Sequence, residues 1–123
     1  MAPTVLIVDD SSTLRRQVVD TLSKAALNVA EAEDGVQGAD AIKAGGVDCV
    51  ICDINMPNMN GIEMVTEVKQ DGRFADLPII MLTTEGSRDL ITEAKEAGAC
   101  GWIVKPFKPD MLVAAVKRLT GSE

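Results

Sequence analysis

The order of its apolar segments constrains this chain more than any single residue does. Short, nearly continuous apolar runs, "TVLIV" at 4–8, "CVIC" at 49–52, "PIIML" at 78–82 and "WIV" at 102–104, with a weaker "NVAEA" at 28–32, alternate with longer segments of helical spacing. Runs of this length without polar alternation read as strands buried on both faces. The segments between them carry apolar stripes: Leu14, Val18, Leu22 and Ala25; Val36, Ala39 and Ile42; Ile62, Val65 and Val68; Leu90 or Ile91, Ala94 and Ala97; Leu112, Val116 and Leu119. Each stripe can lay one face of a helix on a sheet. Punctuation agrees, since Ser11 or Ser12 can cap the first helix, Gly45-Gly46 and Gly98 can stop the second and fourth, and Pro109 suits the first turn of the last. Five strands alternating with five helices specify parallel β-α units, because parallel strands need crossovers and those crossovers are right-handed. The expected fold class is α/β, a three-layer α/β/α sandwich around a five-stranded parallel sheet. Pattern alone does not order the strands, but sheets of this kind commonly take the order 2-1-3-4-5.

No composition break divides the 123 residues, so residues 1–123 are expected to form a single domain. A chain of this length can bury roughly two-thirds of the surface that its unfolded form exposes. The core must be aliphatic and methionine-rich, because the chain holds two Phe, one Trp and no Tyr. Lys and Arg total 12 against 19 Asp and Glu, a net charge of −7, and an acidic surface repels phosphate backbones. Nucleic acid is therefore not an expected partner. No N-terminal apolar leader and no membrane-spanning stretch can be read, so no membrane association is expected and the location is read as cytosolic. The absence of histidine removes Ser-His-Asp and Cys-His catalysis, His-based zinc sites and any phosphohistidine carrier. Cys49 and Cys52 have the spacing of a redox pair, yet they lie inside a strand, where residues three apart point to opposite faces. They read as two core thiols.

Chemistry gathers where the strands end. Asp9 and Asp10 follow strand 1, Asp53 follows strand 3, Thr83 follows strand 4 and Lys105 follows strand 5. The 2-1-3-4-5 order opens a crevice beside the carboxyl ends of strands 1 and 3, so these groups meet at one edge. Two acids ahead of a helix can simply complement its dipole, Lys105 can be a solvated charge and Thr83 a strand-end hydroxyl. Asp53 changes that balance: two like charges about 4 Å apart cost on the order of 4 kcal/mol at an effective dielectric near 20. An all-oxygen acidic cluster suits a hard divalent cation such as Mg2+, which keeps waters for a phosphate. Metal, lysine and hydroxyl around one carboxylate make a phosphoryl-transfer site with the carboxylate as nucleophile. In that reading Asp53 attacks phosphorus, Asp10 and Asp9 hold Mg2+, and Lys105 and Thr83 contact the phosphoryl oxygens.

The motifs "LIVDDSSTLRR", "DINMPNMNG", Thr83-Thr84 and "WIVKPF" run in order through nearly the whole chain. In them the chain resembles response-regulator receiver domains, most of all the single-domain chemotaxis type. The resemblance implies a flavodoxin-like receiver fold with Asp53 as phosphoacceptor, Asp9 and Asp10 as the acidic pair, and Thr83 and Lys105 as the switch hydroxyl and lysine. It also implies that the backbone carbonyl of Asn55 completes the Mg2+ site, that the Lys105-Pro106 bond is cis, and that Asn55 and Glu85 tune dephosphorylation. Such a protein is a two-component signalling phosphoprotein that catalyses its own phosphorylation and dephosphorylation rather than an enzyme acting on other substrates. A histidine kinase would be the phosphodonor, a flagellar motor switch component the target through helix 4, strand 5 and helix 5, and a phosphatase a further partner; the protein is expected to be a monomer. Trp102 departs from the pattern, since receivers usually carry Tyr or Phe there. It reads either as a ring that moves inward when Thr83 is drawn to the phosphoryl group or as an edge-strand packing residue.

Other readings remain beside this one. The chain could shuttle or drain phosphate in another relay or motility system, or be a receiver excised from a longer protein. A flavodoxin-like electron carrier needs a Gly, Ser and Thr-rich loop after strand 1, where an acidic pair would repel the cofactor phosphate. An aspartate-nucleophile phosphatase generally has an acid two residues after the nucleophile, where Asn55 stands. A P-loop NTPase is excluded because no G-x-x-x-x-G-K-[ST] occurs.

Overall fold

In the computed structural model, which describes residues 2–121, five strands and five α-helices alternate along the chain. The strands are β1 (Thr4–Val8), β2 (Asn28–Ala32), β3 (Cys49–Cys52), β4 (Ile79–Thr83) and β5 (Gly101–Val104). The helices are α1 (Ser12–Lys24), α2 (Gly35–Lys43), α3 (Gly61–Lys69), α4 (Arg88–Ala97) and α5 (Pro109–Thr120). The strands pair in parallel in the order β2-β1-β3-β4-β5. The three-layer sandwich and the strand order expected from the sequence are both present.

The core divides by sheet face, as the period of two in a strand requires. Leu6, Val8, Val50, Cys52, Ile79 and Met81 pack with residues of α2, α3 and α4, among them Ile42, Met64, Val65 and Ala94. Val5, Ile7, Cys49, Ile51, Ile80 and Leu82 pack with Val18 and Leu22 of α1 and Leu112 and Val116 of α5. Cys49 and Cys52 fall on opposite faces and are free buried thiols. Burial pushes the Cys49 thiol up to about 12, away from the thiolate form, as befits a core thiol.

Caps follow the sequence signals. The Ser11 hydroxyl accepts the Leu14 N–H at the start of α1, Asp34 accepts the Gln37 N–H at α2, and Asn60 and Glu63 form a reciprocal capping box at α3. Gly98, at φ 122°, ends α4, and Pro109 occupies the first turn of α5.

Three expectations need correction. Thr83 is the last residue of β4 rather than the first after it, because its carbonyl still accepts the Lys105 N–H at 2.8 Å and so extends the ladder. Val36 lies 42% exposed: α2 turns Gly35, Gly38, Ala39 and Ile42 inward instead, and the two glycines let the helix approach Met59, Met64 and Val8 closely. The strands β2 and β5 are not buried on both faces, since they are the two sheet edges: the four residues of β5 are half-buried or exposed, and of β2 only Ala32 is buried. A short 3-10 turn at Gly72–Phe74, which carries no apolar period, was not anticipated.

Candidate functional site

Sheet register assembles the site. Val8 stands opposite Cys52 in the β1–β3 pair, and the ladder runs one residue further on each side: the Asp9 N–H donates to the Ala32 carbonyl at 3.1 Å and the Asp53 N–H to the Val8 carbonyl at 3.0 Å. Asp9 and Asp53 therefore leave adjacent strands at the same level, at the point where the strand order reverses. One carboxylate oxygen from each of Asp9, Asp10 and Asp53 lies within 4.8 Å of the others. Asp9 and Asp53 are buried, at 1% and 8% exposure, whereas Asp10 faces solvent.

Lys105 reaches this cluster from the end of β5. Its Nζ donates to Asp9 Oδ2 at 3.0 Å and to Asp53 Oδ2 at 3.1 Å. The other oxygens are held by the backbone, since Asp9 Oδ1 accepts the Ser11 N–H at 2.8 Å and Asp53 Oδ1 the Ile54 N–H at 2.7 Å. Burial raises the Asp9 carboxyl above its ordinary range, against the lowering effect of the Ser11 N–H and Lys105. For Lys105, burial disfavours the ammonium, but its bonds to Asp9 and the charges of Asp53 and Asp9 outweigh this and hold it above the usual lysine value. The Lys105-Pro106 peptide bond is cis, as the resemblance implies.

Opposite Lys105, the β4–α4 and β3–α3 loops meet. The Asn55 amide donates to Glu85 Oε1 at 3.2 Å, the fully buried Thr83 hydroxyl accepts the Glu85 N–H at 3.2 Å, and the indole N–H of Trp102 donates to the Glu85 carbonyl at 3.1 Å. Glu85 thus links the residues singled out on three elements, and the half-buried Trp102 has a partner for its polar atom. The β3–α3 loop is fixed at its far end by Asn58, whose amide donates to Asp34 at 2.8 Å. It is fixed too by Gly61, whose N–H donates to the Ile54 carbonyl at 2.9 Å and where any Cβ would overlap the Asp53 carbonyl.

Seven of the eight residues singled out in the sequence, Asp9, Asp10, Asp53, Asn55, Thr83, Glu85 and Lys105, lie at this one edge of the sheet or on the loops around it, and Trp102, level with Met81 in the sheet, reaches the Glu85 loop through its indole N–H. Sequence reasoning missed Arg15, Asp34 and Asn58. A charge at i−3 and i−7 from Val18 and Leu22, on the buried stripe of α1, was the available signal for Arg15.

Chemically, three carboxylates with no imidazole or thiol among them form an oxygen-only donor set for a hard divalent cation, and Lys105 neutralises only part of their charge. The residues present could hold such a metal.

Residues 5–117 match the response regulator receiver domain family. The chain is 42% identical over 120 residues to "Chemotaxis protein CheY1" of Helicobacter pylori, covering 96% of this chain and 97% of that one. It is equally similar, at 42%, to "Chemotaxis protein CheY homolog" of Campylobacter jejuni, over 96% of this chain and 92% of that one. The solved structure of Vibrio cholerae chemotaxis protein CheY4 superposes with a TM-score of 0.91 at 39% identity, over 97% of this chain and 99% of that one. With a family match across most of its length and relatives of this identity, the chain belongs to the response regulator receiver domain family, among the CheY-like chemotaxis response regulators.

Proposed function

We propose that this protein is a Mg2+-dependent phosphoacceptor that takes a phosphoryl group onto Asp53 from a histidine kinase and passes the signal on through a protein-binding surface. The observation that carries the reading is the convergence of Asp9, Asp10 and Asp53 within 4.8 Å, with Lys105 bonded to two of them. A carboxylate oxygen of Asp53 attacks phosphorus, the bond from phosphorus to the donor nitrogen breaks, and an acyl phosphate forms. Bound Mg2+, held by Asp9, Asp10, Asp53 and the Asn55 carbonyl, would supply positive charge against the phosphoryl oxygens. Lys105 is already aimed at Asp53 Oδ2 and shifts its hydrogen bond to a phosphoryl oxygen as charge develops there. The Thr83 hydroxyl, which accepts the Glu85 N–H, donates its own proton to another phosphoryl oxygen. Asn55 and Glu85 span the mouth of the site, which suits a role in admitting the water that hydrolyses the acyl phosphate.

Two grooves support the partners. One of about 610 Å3, with Leu14, Gln17, Thr84, Pro106 and Phe107 in its lining, opens between α1 and α5 beside Lys105, where a donor must approach. Another of about 340 Å3 lies between β5 and α5, with Trp102, Ile103 and Met111 in its lining, next to the exposed Val104. The second suits an output protein such as a flagellar motor switch component binding through α4, β5 and α5, and Trp102 lies between it and Glu85. We place the protein in the cytoplasm as a monomer, with a phosphatase as a further partner; no helix among the described residues is long and apolar enough to cross a membrane.

The test follows Trp102 fluorescence, the chain's single indole, on adding Mg2+ and then beryllofluoride to wild type and Asp53→Asn. A change that needs both additions and Asp53 is the expected result. A wild type with no response to either would count against the reading.

A further inference from the structure

Arg15 of α1 is a buried cation with a side chain only 11% exposed, and neither the charge cluster nor the apolar stripe accounts for it. Its guanidinium makes two hydrogen bonds and one looser ion pair: Nη1 donates to the backbone carbonyl of Asp9 at 2.6 Å, Nε donates to Glu31 Oε1 at 3.1 Å, and Nη2 faces the exposed Glu33 at 3.9 Å. The carbonyl it grips belongs to the peptide plane that joins Asp9 to Asp10. With the Asp9 N–H on Ala32, Asp9 Oδ1 on the Ser11 N–H and Asp9 Oδ2 on Lys105, the polar atoms of Asp9 are all held, and Arg15 holds the one on which the direction of Asp10 depends. Asp10 itself is exposed, so its carboxylate gains direction from the backbone rather than from packing.

We infer that Arg15 is a positioning residue for the cation site, orienting the Asp9-Asp10 peptide so that both carboxylates face one metal ion; this rests on the Mg2+ reading above. Two physical effects of Arg15 oppose each other. Its positive charge near three carboxylates weakens cation binding, so if charge alone mattered, a neutral residue there would bind Mg2+ more tightly. Its forked hydrogen bonds fix the ligand geometry, and Mg2+ demands near-ideal octahedral angles, so if positioning dominates, a neutral residue binds more weakly. A bond from a guanidinium to a carbonyl at 2.6 Å in a buried setting is of the strong, charge-assisted kind, and we assign the larger effect to positioning. Lysine keeps the charge but cannot grip Asp9 and Glu31 at once in the same plane.

The test measures the urea midpoint of wild type, Arg15→Lys, Arg15→Met and Glu31→Gln over a series of MgCl2 concentrations. The Mg2+-free midpoint reports stability, and the rise in unfolding free energy with MgCl2, which follows RT ln(1 + [Mg2+]/Kd), reports affinity. We expect Arg15→Lys and Arg15→Met both to need about tenfold more Mg2+, the loss of one charge-assisted hydrogen bond. Glu31→Gln, which lowers stability but spares the Asp9 contact, keeps the wild-type Mg2+ dependence. Arg15→Lys with wild-type dependence, or Arg15→Met with tighter binding, would overturn the inference while leaving the Mg2+ site standing. A wild type whose midpoint ignores Mg2+ would overturn both.

Discussion

Lys105→Met replaces a charge that touches two buried carboxylates by an isosteric neutral chain. In the absence of Mg2+ it leaves Asp9 and Asp53, 1% and 8% exposed, without their shared cation. Removing one partner of a buried pair costs about 3–5 kcal/mol; the Lys105 side chain is 17% exposed and Asp9 and Asp53 keep their backbone hydrogen bonds, so the lower end, about 3 kcal/mol, applies. For 123 residues at about 2.1 cal/mol/K of unfolding entropy each, that is a fall in Tm of about 12 °C. In millimolar Mg2+ the gap to wild type narrows, because the metal takes over the charge compensation, and Mg2+ binds the variant at least as well as wild type. Calorimetric melts of both proteins with and without Mg2+ read this out. An equal fall in both conditions would refute the idea that lysine and metal share one set of carboxylates, and no fall at all would refute the cost assigned to the uncompensated acids.

Further outcomes can be checked on stability and reactivity. Gly61→Ala drives a methyl into the Asp53 carbonyl and toward Met81, and we expect a loss of about 3 kcal/mol in urea unfolding, while Gly72→Ala, which meets nothing within 4 Å, stays within about 0.5 kcal/mol of wild type. The Gln37 N–H and then the Asn58 amide hold the Asp34 carboxyl below its ordinary 3.8. Its folded value is depressed, so the stability it contributes is present above that pH and lost as pH falls below it; the urea midpoints of wild type and Asp34→Asn should converge on acidification from pH 6 to below 3.8. A thiol reagent at neutral pH should modify Cys100, which is exposed, and leave Cys49 and Cys52 until the protein unfolds, Cys49 being both buried and raised to about 12. Fast labelling of more than one thiol in the native protein would contradict the packing.

The central layer was legible because burial on both faces leaves a signature that survives without an alignment: "TVLIV" and "CVIC" coincide with β1 and β3 residue for residue, and the weaker "NVAEA" coincides with the edge strand β2. The edge strand β5 was read from the same kind of run yet lies half-open, since an apolar run does not say how much sheet lies beside it. Val36 followed the helical period but not the packing, because glycines at 35 and 38 give α2 a closer-lying face than its valine does. The site was readable because Asp9, Asp53, Thr83 and Lys105 stand at the carboxyl ends of strands, where topology rather than distance in sequence brings them together. What holds the site was less so. Arg15 and Asp34 act through backbone atoms and a neighbouring loop, and a contact to a carbonyl leaves no mark on the partner residue's identity. The Trp102–Glu85 bond likewise joins an indole to a main-chain oxygen.

Intact mass after incubation with acetyl phosphate, in Mg2+ and in chelator, tests the central claim most directly when wild type is compared with Asp53→Asn. Wild type is expected to gain the mass of one phosphoryl group only in Mg2+, in a bond that hydroxylamine cleaves, and Asp53→Asn to gain none. Equal phosphorylation of Asp53→Asn, or of wild type in chelator, would contradict the claim.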